Sequence, residues 1–490
     1  MNTLAEQFQL MKQYRHSIGG AWVDGGDGDI EVINPARDEV IARVPNGGAA
    51  QIDAAVRAAR AQFDGGEWSR LSGPDRGALI LKLADLVERD AELIARLDAL
   101  CIGRPVQEPM MLDLPNALST LRHNAGWADK IEGRTIPTPG YFGRPTLAYT
   151  RRDPIGVIGA IVPWNTPFMI TCWKLAPALA TGCTIVIKPA EETPLSVLHL
   201  AKLVEEAGFP AGVVNVVTGR GAVAGAAMCT HPGINKISFT GSPVVGAEIM
   251  RTAGPLFKRV ALELGGKSPQ VVFADADLES AVRGCAMGLF FNQGQVCAAG
   301  TRILVQRAIH DQFVEGLRQA AESVRVGDPL QEGVTMGAIA KRSQFDNIAR
   351  YIAAGQEEGA TLLTGGAVEG GKGLFVRPTV FTNATNSMRI AREEIFGPVG
   401  TVIPFDTDEE ALALANDSHY GLGATIWTRD IARAHTMAAA IHAGAVGING
   451  WAPMDARTPW GGVKTSGIGR ELGYSGIEAC TEEKVITVVL

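Results

Sequence analysis

The sequence predicts an α/β protein with two doubly wound, parallel-sheet domains and a small accessory β-sheet. Three observations carry that reading. Short β-branched runs alternate with longer amphipathic stretches, as βαβ units require. The alternation begins again after Gly266. Two β-prone segments, Thr135 to Arg152 and Lys484 to Leu490, belong to neither series.

In chain order, Ala54 to Phe63 and Arg76 to Arg96 have helical spacing and charge patterning. Strand-like runs follow at Ile155 to Val162, Thr184 to Ile187, Val213 to Val217 and Lys236 to Phe239, interleaved with helix-like segments such as Leu195 to Ala207. After Gly266 come a strand at Gln270 to Phe273, a helix over Leu278 to Phe290, a strand at Arg302 to Val305, and further units to about residue 450. The simplest division joins two α/β domains near Glu263 to Pro269. In Thr135 to Arg152 an extended pattern is interrupted by Pro137, Pro139, Gly140 and Gly143. Exposed strand edges are a liability unless paired. An accessory sheet pairing between subunits would bury both leftover segments, which argues for an oligomer.

A chain of 490 residues exceeds one compact core. Its 58 glycines and 46% hydrophobic content suit a glycine-rich α/β enzyme rather than a fibrous or disordered chain. A net charge of −7 gives no electrostatic footprint for nucleic acid or an anionic membrane. Met1 to Arg15 has polar residues throughout and no apolar core flanked by a small-residue cleavage site, so it does not read as a secretory signal. Ile155 to Trp173 is free of charge, but Pro163, Asn165 and Pro167 inside it favour a buried strand followed by a turn over a membrane span. The seven cysteines form no C-x-x-C pair, which points to reduced thiols and a cytoplasmic location. The histidines show no metal-ligand spacing, so no metal is expected.

Two clusters carry chemistry. Cys297 ends the run Phe291-Asn292-Gln293-Gly294-Gln295-Val296-Cys297, and Glu263 opens Glu263-Leu264-Gly265-Gly266-Lys267. A thiolate attacks carbonyl carbon, and a nearby carboxylate can activate water to release the acyl group. The cofactor signal is indirect, because no G-x-G-x-x-G follows a strand. Ile237-Ser238-Phe239-Thr240-Gly241-Ser242 instead leads from a strand into a glycine turn and a helix-like segment, a geometry able to hold a pyrophosphate. Lys188 and Glu191 close another strand, where a carboxylate can accept hydrogen bonds from a ribose diol and would repel a 2′-phosphate.

These residues resemble the aldehyde dehydrogenase superfamily, in its NAD(P)-dependent, non-acylating branch. The resemblance rests on Pro163-Trp164-Asn165, Lys188-Pro189-Ala190-Glu191, Phe239-Thr240-Gly241-Ser242, Glu263-Leu264-Gly265-Gly266-Lys267, Gly294-Gln295-Val296-Cys297, Glu394-Ile395-Phe396-Gly397-Pro398 and Gly467-Ile468-Gly469-Arg470-Glu471. They occur in the family's order from about residue 20 to the C-terminus.

The resemblance implies an NAD-binding domain over 1–134 and 153–265, a catalytic domain over 266–475, and an oligomerisation sheet from 135–152 and 476–490, in a dimer or tetramer. It implies that Cys297 is the nucleophile and Glu263 the general base, with Asn165 and the Cys297 N–H forming the oxyanion hole. Lys188 and Glu191 match groups on the adenosine ribose, Trp164 and Ser242 pyrophosphate contacts, Glu394 the nicotinamide-ribose ligand, and Phe396 a ring near the nicotinamide. Val162, Pro163, Gly221, Gly241, Leu264 and Gln344 complete the implied cofactor site. Glu471 matches a carboxylate linked to proton exit. Structural alternatives stand beside these roles: a turn for Asn165, a helix cap or solvated acid for Glu394, an ion pair with Arg470 for Glu471, and packing alone for Lys174.

The implied reaction oxidises an aldehyde to a carboxylic acid through a thiohemiacetal and a thioester on Cys297. NAD is expected as cofactor, with NADP weaker. Thr166 stands where relatives acting on small aldehydes commonly carry an aromatic, and Ser242-Pro243 also departs from the usual pattern. With Met169, Ile170, Trp173, Val296, Ala298 and Met454, Thr166 gives an apolar tunnel suited to aromatic, terpenoid or medium-chain aldehydes. For betaine-type cations only Trp173 and Trp451 offer an aromatic cage, and for acidic semialdehydes only Arg457 offers an anchor. Coenzyme A acylation, redox-free hydrolysis and a silent structural role fit less well, since Cys297 and Glu263 are both present and no histidine accompanies the cysteine.

Overall fold

A computed structural model describes residues 10–370, 372–451 and 454–490. Residues 1–9, within the segment read above as lacking a signal, lie outside the described residues. The first sheet has five parallel strands at its centre: β1 (Val157–Ile161), β2 (Thr184–Lys188), β3 (Val214–Val216), β4 (Lys236–Thr240) and β5 (Arg259–Glu263). Their spatial order is β3-β2-β1-β4-β5, so the winding reverses beside β1. Ligands in such sheets bind beyond the carboxyl ends of the strands, at this reversal. Those ends here are Lys188, Thr240, Glu263 and the Val162–Asn165 turn.

The second sheet orders β6 (Pro269–Val272), β7 (Arg302–Gln306), β8 (Thr379–Thr382), β9 (Val399–Phe405), β10 (Gly423–Trp427) and β11 (Ala445–Ile448) as β8-β9-β7-β6-β10-β11. Only Leu264 to Ser268 separate it from β5 in the chain. The domains are also tied late in the sequence: Gly467–Ile468 returns to the first sheet and pairs antiparallel with β5, Glu263 opposite Gly467. That return carries Glu471 to the edge where Glu263 ends.

A third, three-stranded sheet pairs Thr481–Val489 with Thr146–Pro154 over nine residues, and Thr135–Ile136 completes it. Two local readings differ from the structure. The helix read over Arg76 to Arg96 is divided at Asp90 into Gly73–Arg89 and Ala91–Ile102. The turn expected after the Ile155 strand opens into helix α1 (Pro167–Thr181), which is buried on every face. A helix without a polar stripe shows no amphipathic period, so the sequence pattern cannot reveal it.

Candidate active site

Cys297 lies beyond helix α3 (Leu278–Phe290) on a turn that is costly to form. Asn292 (φ 50°, ψ 39°) and Gln293 (φ 56°, ψ 30°) are both left-handed, a conformation that costs about 1–3 kcal/mol per non-glycine residue. Gly294 follows at φ 69°, and a Cβ there would meet the Gly397 carbonyl oxygen at 2.2 Å. Distant segments hold the turn. The Asn292 N–H donates to both Glu108 carboxylate oxygens at 3.2 and 3.3 Å, and Asn292 Nδ2 donates to the Asn165 carbonyl at 2.9 Å. Gln293 Nε2 donates to the Ala338 carbonyl at 3.1 Å, and Gln295 Oε1 accepts from the Ala340 N–H at 3.0 Å.

Asn165 Nδ2 donates to the Gln295 carbonyl at 2.8 Å, two residues before Cys297. An amide nitrogen carries two hydrogens, so this bond leaves one of them uncommitted. The adjoining Gly265 and Gly266 are dictated by close approach. A Cβ on Gly265 would meet Glu394 Oε2 at 2.1 Å, and one on Gly266 would meet the Cys297 carbonyl oxygen at 2.6 Å.

Three carboxyl groups gather here. Glu263 is 4% exposed, and its Oε2 has no hydrogen-bond partner among the described residues. Burial and then the Glu471 charge push its carboxyl well above the usual range. Glu471 is tied to Lys174 Nζ, and its Oε1 accepts from Ser238 Oγ at 3.0 Å. Lys174 also donates to Ser238 Oγ at 3.1 Å and Thr240 Oγ1 at 2.9 Å. Arg470, the partner considered from sequence, instead donates to the Gly462 and Gly469 carbonyls, so the ion pair of Glu471 is with Lys174. Glu394 accepts from the Gly266 N–H at 3.1 Å, and burial raises its carboxyl to about 7. Burial, with the charges of Glu394 and Glu263, pushes the Cys297 thiol up to about 12.

The cleft at the carboxyl ends of β1, β2 and β4 has the parts a dinucleotide needs. Glu191 Oε1 accepts from the Gly221 N–H at 2.7 Å, and Lys188 Nζ lies 3.6 Å from Oε2. Burial raises the Glu191 carboxyl, but Lys188 and the Gly221 N–H outweigh it and hold the group below its ordinary value. Ser242 caps helix α2 (Pro243–Ala253), accepting from Val245 N–H at 3.4 Å, and the exposed Val244 and Val245 leave this helix end open to an anion. Gly241 N–H is held by the Glu263 carbonyl at 3.0 Å, and Leu264 N–H by the Ser466 carbonyl at 2.9 Å. Across the cleft, Phe396 meets Trp164 edge-on at 5.2 Å, and Gln344 Nε2 fixes the Ile395 and Phe396 carbonyls at 2.7 and 3.0 Å. Val162 N–H bonds to the Lys188 carbonyl at 3.0 Å, which sets the Pro163-Trp164 turn. These residues fit a bound nicotinamide dinucleotide.

Beside Cys297, one apolar cluster takes in Met169, Ile170, Trp173, Ala298 and Trp460, with Val296 and Met454 packed against it. Thr166 is buried at the start of α1. Trp173 meets Trp460 edge-on at 6.4 Å and donates to Asn116 Oδ1 at 2.6 Å.

Residues 22–486 match the model of the aldehyde dehydrogenase family. The chain belongs to the aldehyde dehydrogenase family. Aldehyde dehydrogenase 1A1 of Gallus gallus is 48% identical over 474 residues, 96% of this chain and 92% of that protein. The structure of an aldehyde dehydrogenase–NAD+ complex from Bacillus cereus superposes with a TM-score of 0.96 at 45% identity, covering 100% of this chain and 99% of that one. A Staphylococcus aureus betaine aldehyde dehydrogenase structure gives 0.94 at 40% identity, covering 97% of each chain. This protein is therefore an aldehyde dehydrogenase and uses a nicotinamide dinucleotide.

Several residues of this aldehyde dehydrogenase escaped sequence reasoning. Glu108 and Asn116 are remote from every motif in the chain and reach the site only through folding. Lys341, whose Nζ lies 5.4 Å from the Trp164 ring centre and 2.8 Å from Glu192, is likewise assembled by tertiary packing. Trp451 packs on Phe291 and donates to the Ala298 carbonyl at 3.1 Å. The aromatic partner of Trp173 is Trp460. Arg457, 72% exposed, pairs with Asp455 at 2.6 Å. Among the described residues no histidine, cysteine and acid cluster could hold a metal, and no helix is long and apolar enough to cross a membrane.

Proposed function

We propose that this aldehyde dehydrogenase oxidises a hydrophobic aromatic, terpenoid or medium-chain aldehyde to its carboxylic acid, with NAD preferred over NADP. The observation that carries the mechanism is the bond from Asn165 Nδ2 to the Gln295 carbonyl, which places an amide donor beside the Cys297 loop. Cys297 Sγ adds to the aldehyde carbon, and its proton leaves as the oxyanion forms against Asn165 and the Cys297 N–H. Removing one such donor costs about 10²–10³ in rate. NAD, held by Lys188, Glu191, Trp164 and Ser242 of the 1–134 and 153–265 domain and by Glu394 and Phe396 of the 266–475 domain, supplies the hydride acceptor when bound. Glu263 then takes a proton from water, which attacks the acyl thioester on Cys297 and releases the acid. Its buried environment supports this, since a carboxyl raised toward neutrality is a better base than a solvated one. Glu471 and Lys174 stand behind Glu263 as the route for the proton taken up.

The apolar tunnel of Thr166, Met169, Ile170, Trp173, Val296, Ala298 and Met454 supports the substrate class. A second reading, a quaternary-ammonium aldehyde, is favoured by the Trp173–Trp460 pair, because crossed aromatic faces attract such cations. The accessory sheet of 135–152 and 476–490 supports a homo-oligomer, dimer or tetramer: Val485 and Leu490 are more than half exposed on its edge strand. NADH formation across acetaldehyde, hexanal, benzaldehyde, succinic semialdehyde and betaine aldehyde tests the reading. We expect kcat/KM to climb about tenfold or more from acetaldehyde to hexanal, at ~0.8 kcal/mol for each methylene buried. Best turnover of acetaldehyde or succinic semialdehyde defeats both readings, and best turnover of betaine aldehyde selects the second.

A further inference from the structure

Just past the Glu263–Gly266 turn, the catalytic domain holds two buried cations that no step of the reaction uses. Lys267 is 2% exposed and Arg302 1% exposed, and both line one narrow cavity with Ser268, Tyr420, Gly421 and His442. Lys267 Nζ, Ser268 Oγ and Arg302 Nε have no hydrogen-bond partner among the described residues. The other Arg302 nitrogens are committed: NH1 donates to Asn386 Oδ1 at 2.9 Å and the Leu414 carbonyl at 2.5 Å, and NH2 to the Ala415 carbonyl at 2.8 Å.

The acids in range are engaged elsewhere. Glu394 accepts from Gly266, Glu393 from the Tyr351 hydroxyl at 2.6 Å, and Asp417 from Asn386 and Arg392 at 2.7 and 3.0 Å. A buried ammonium without a partner is among the most unfavourable groups a fold can contain. That ammonium, the free Nε of Arg302 and the Ser268 hydroxyl surround space for one water-sized or halide-sized occupant and make a site of positive potential with free donors.

We propose that Lys267, Arg302 and Ser268 bind one small monovalent anion of chloride type. Burial and the neighbouring Arg302 lower the lysine to about 7, and an anion seated between them holds it protonated. Lys267 is one of the charges that hold the Glu394 carboxyl down.

The test compares wild type and Lys267→Met in chloride and in gluconate at equal ionic strength, alongside bromide-soaked wild-type crystals. Methionine matches the stem of lysine and leaves no buried charge. We expect chloride to raise the wild-type Tm by about 1–2 °C at roughly tenfold over its dissociation constant. The shift should vanish in Lys267→Met, and a bromide anomalous peak should lie between Lys267 Nζ and Arg302. If Lys267→Met does not fold, the wild-type shift and the bromide peak decide the question. Equal Tm in both salts, a shift that survives Lys267→Met, or a water without anomalous signal at this position would overturn the proposal.

Discussion

The Cys297 thiol sits among carboxyl groups, and burial with the charges of Glu394 and Glu263 keeps it protonated in the free chain at neutral pH. Removing a nearby negative charge favours the thiolate. Glu394→Gln should therefore speed alkylation of Cys297 by iodoacetamide several-fold in mildly alkaline buffer without cofactor; an unchanged or slower rate would contradict the electrostatic account. The base behaves in the opposite sense. Its raised carboxyl must lose a proton before it can accept one from water, so turnover should rise with pH through that elevated value rather than level off near an ordinary glutamate's ~4.3. Glu263→Gln should retain an NADH burst of about one equivalent per site and lose 10²–10⁴-fold, on the order of a positioned base's contribution, in steady state. Full steady-state turnover would remove Glu263 from deacylation. Cys297, Glu263 and Asn165 were legible in sequence because each sits in a glycine- or proline-bounded motif. Glu108, 184 positions from Asn292 in the chain, was not: nothing local marks a carboxylate that acts on a distant backbone N–H.

At the scale of elements, the carboxyl end of β2 and the first turn of α1 carry the two proposed specificities. In the proposed cofactor site Glu191, fixed by the Gly221 N–H and held ionised, places a charge where a 2′-phosphate would lie. We expect NAD to exceed NADP by at least about tenfold in kcat/KM, ~1.4 kcal/mol, and Glu191→Gln to narrow the gap. An NADP preference in the unaltered chain would refute this assignment. Thr166 heads the all-buried helix α1, and Thr166→Phe should narrow the tunnel and flatten the rise in kcat/KM from acetaldehyde to hexanal. If the chain-length dependence is untouched, Thr166 does not line the path. The strands were the readable elements, since β-branched runs bounded by turn residues identify themselves, as Lys236–Thr240 and Arg302–Gln306 do. α1 was unreadable because its fully apolar surface erases the period on which helix reading depends.

Across the whole molecule, the accessory sheet leaves the strand Thr481–Val489 on an edge, with Val485, Val488 and Leu490 exposed. Unpaired, apolar strand edges invite pairing with a further chain. Deleting residues 481–490 should convert an oligomer into smaller or aggregating species by sedimentation, and an unchanged sedimentation coefficient would show that assembly lies elsewhere. The sequence by itself determined the α/β class, the restart after Gly266, the Cys297 and Glu263 turns and the family. The class and the restart follow from local periodicity, the turns from glycine positions at close approaches such as Gly265 against Glu394, and the family from its ordered motifs. Tertiary structure alone decided what surrounds those groups. The Gly467–Ile468 strand brings Glu471 and its lysine partner to Glu263, the 336–340 segment braces Gln293 and Gln295, and Trp460 rather than Trp451 faces Trp173. Each of these contacts joins residues far apart in the chain, and partner choice at such separations is set by packing of whole elements, which no local pattern encodes.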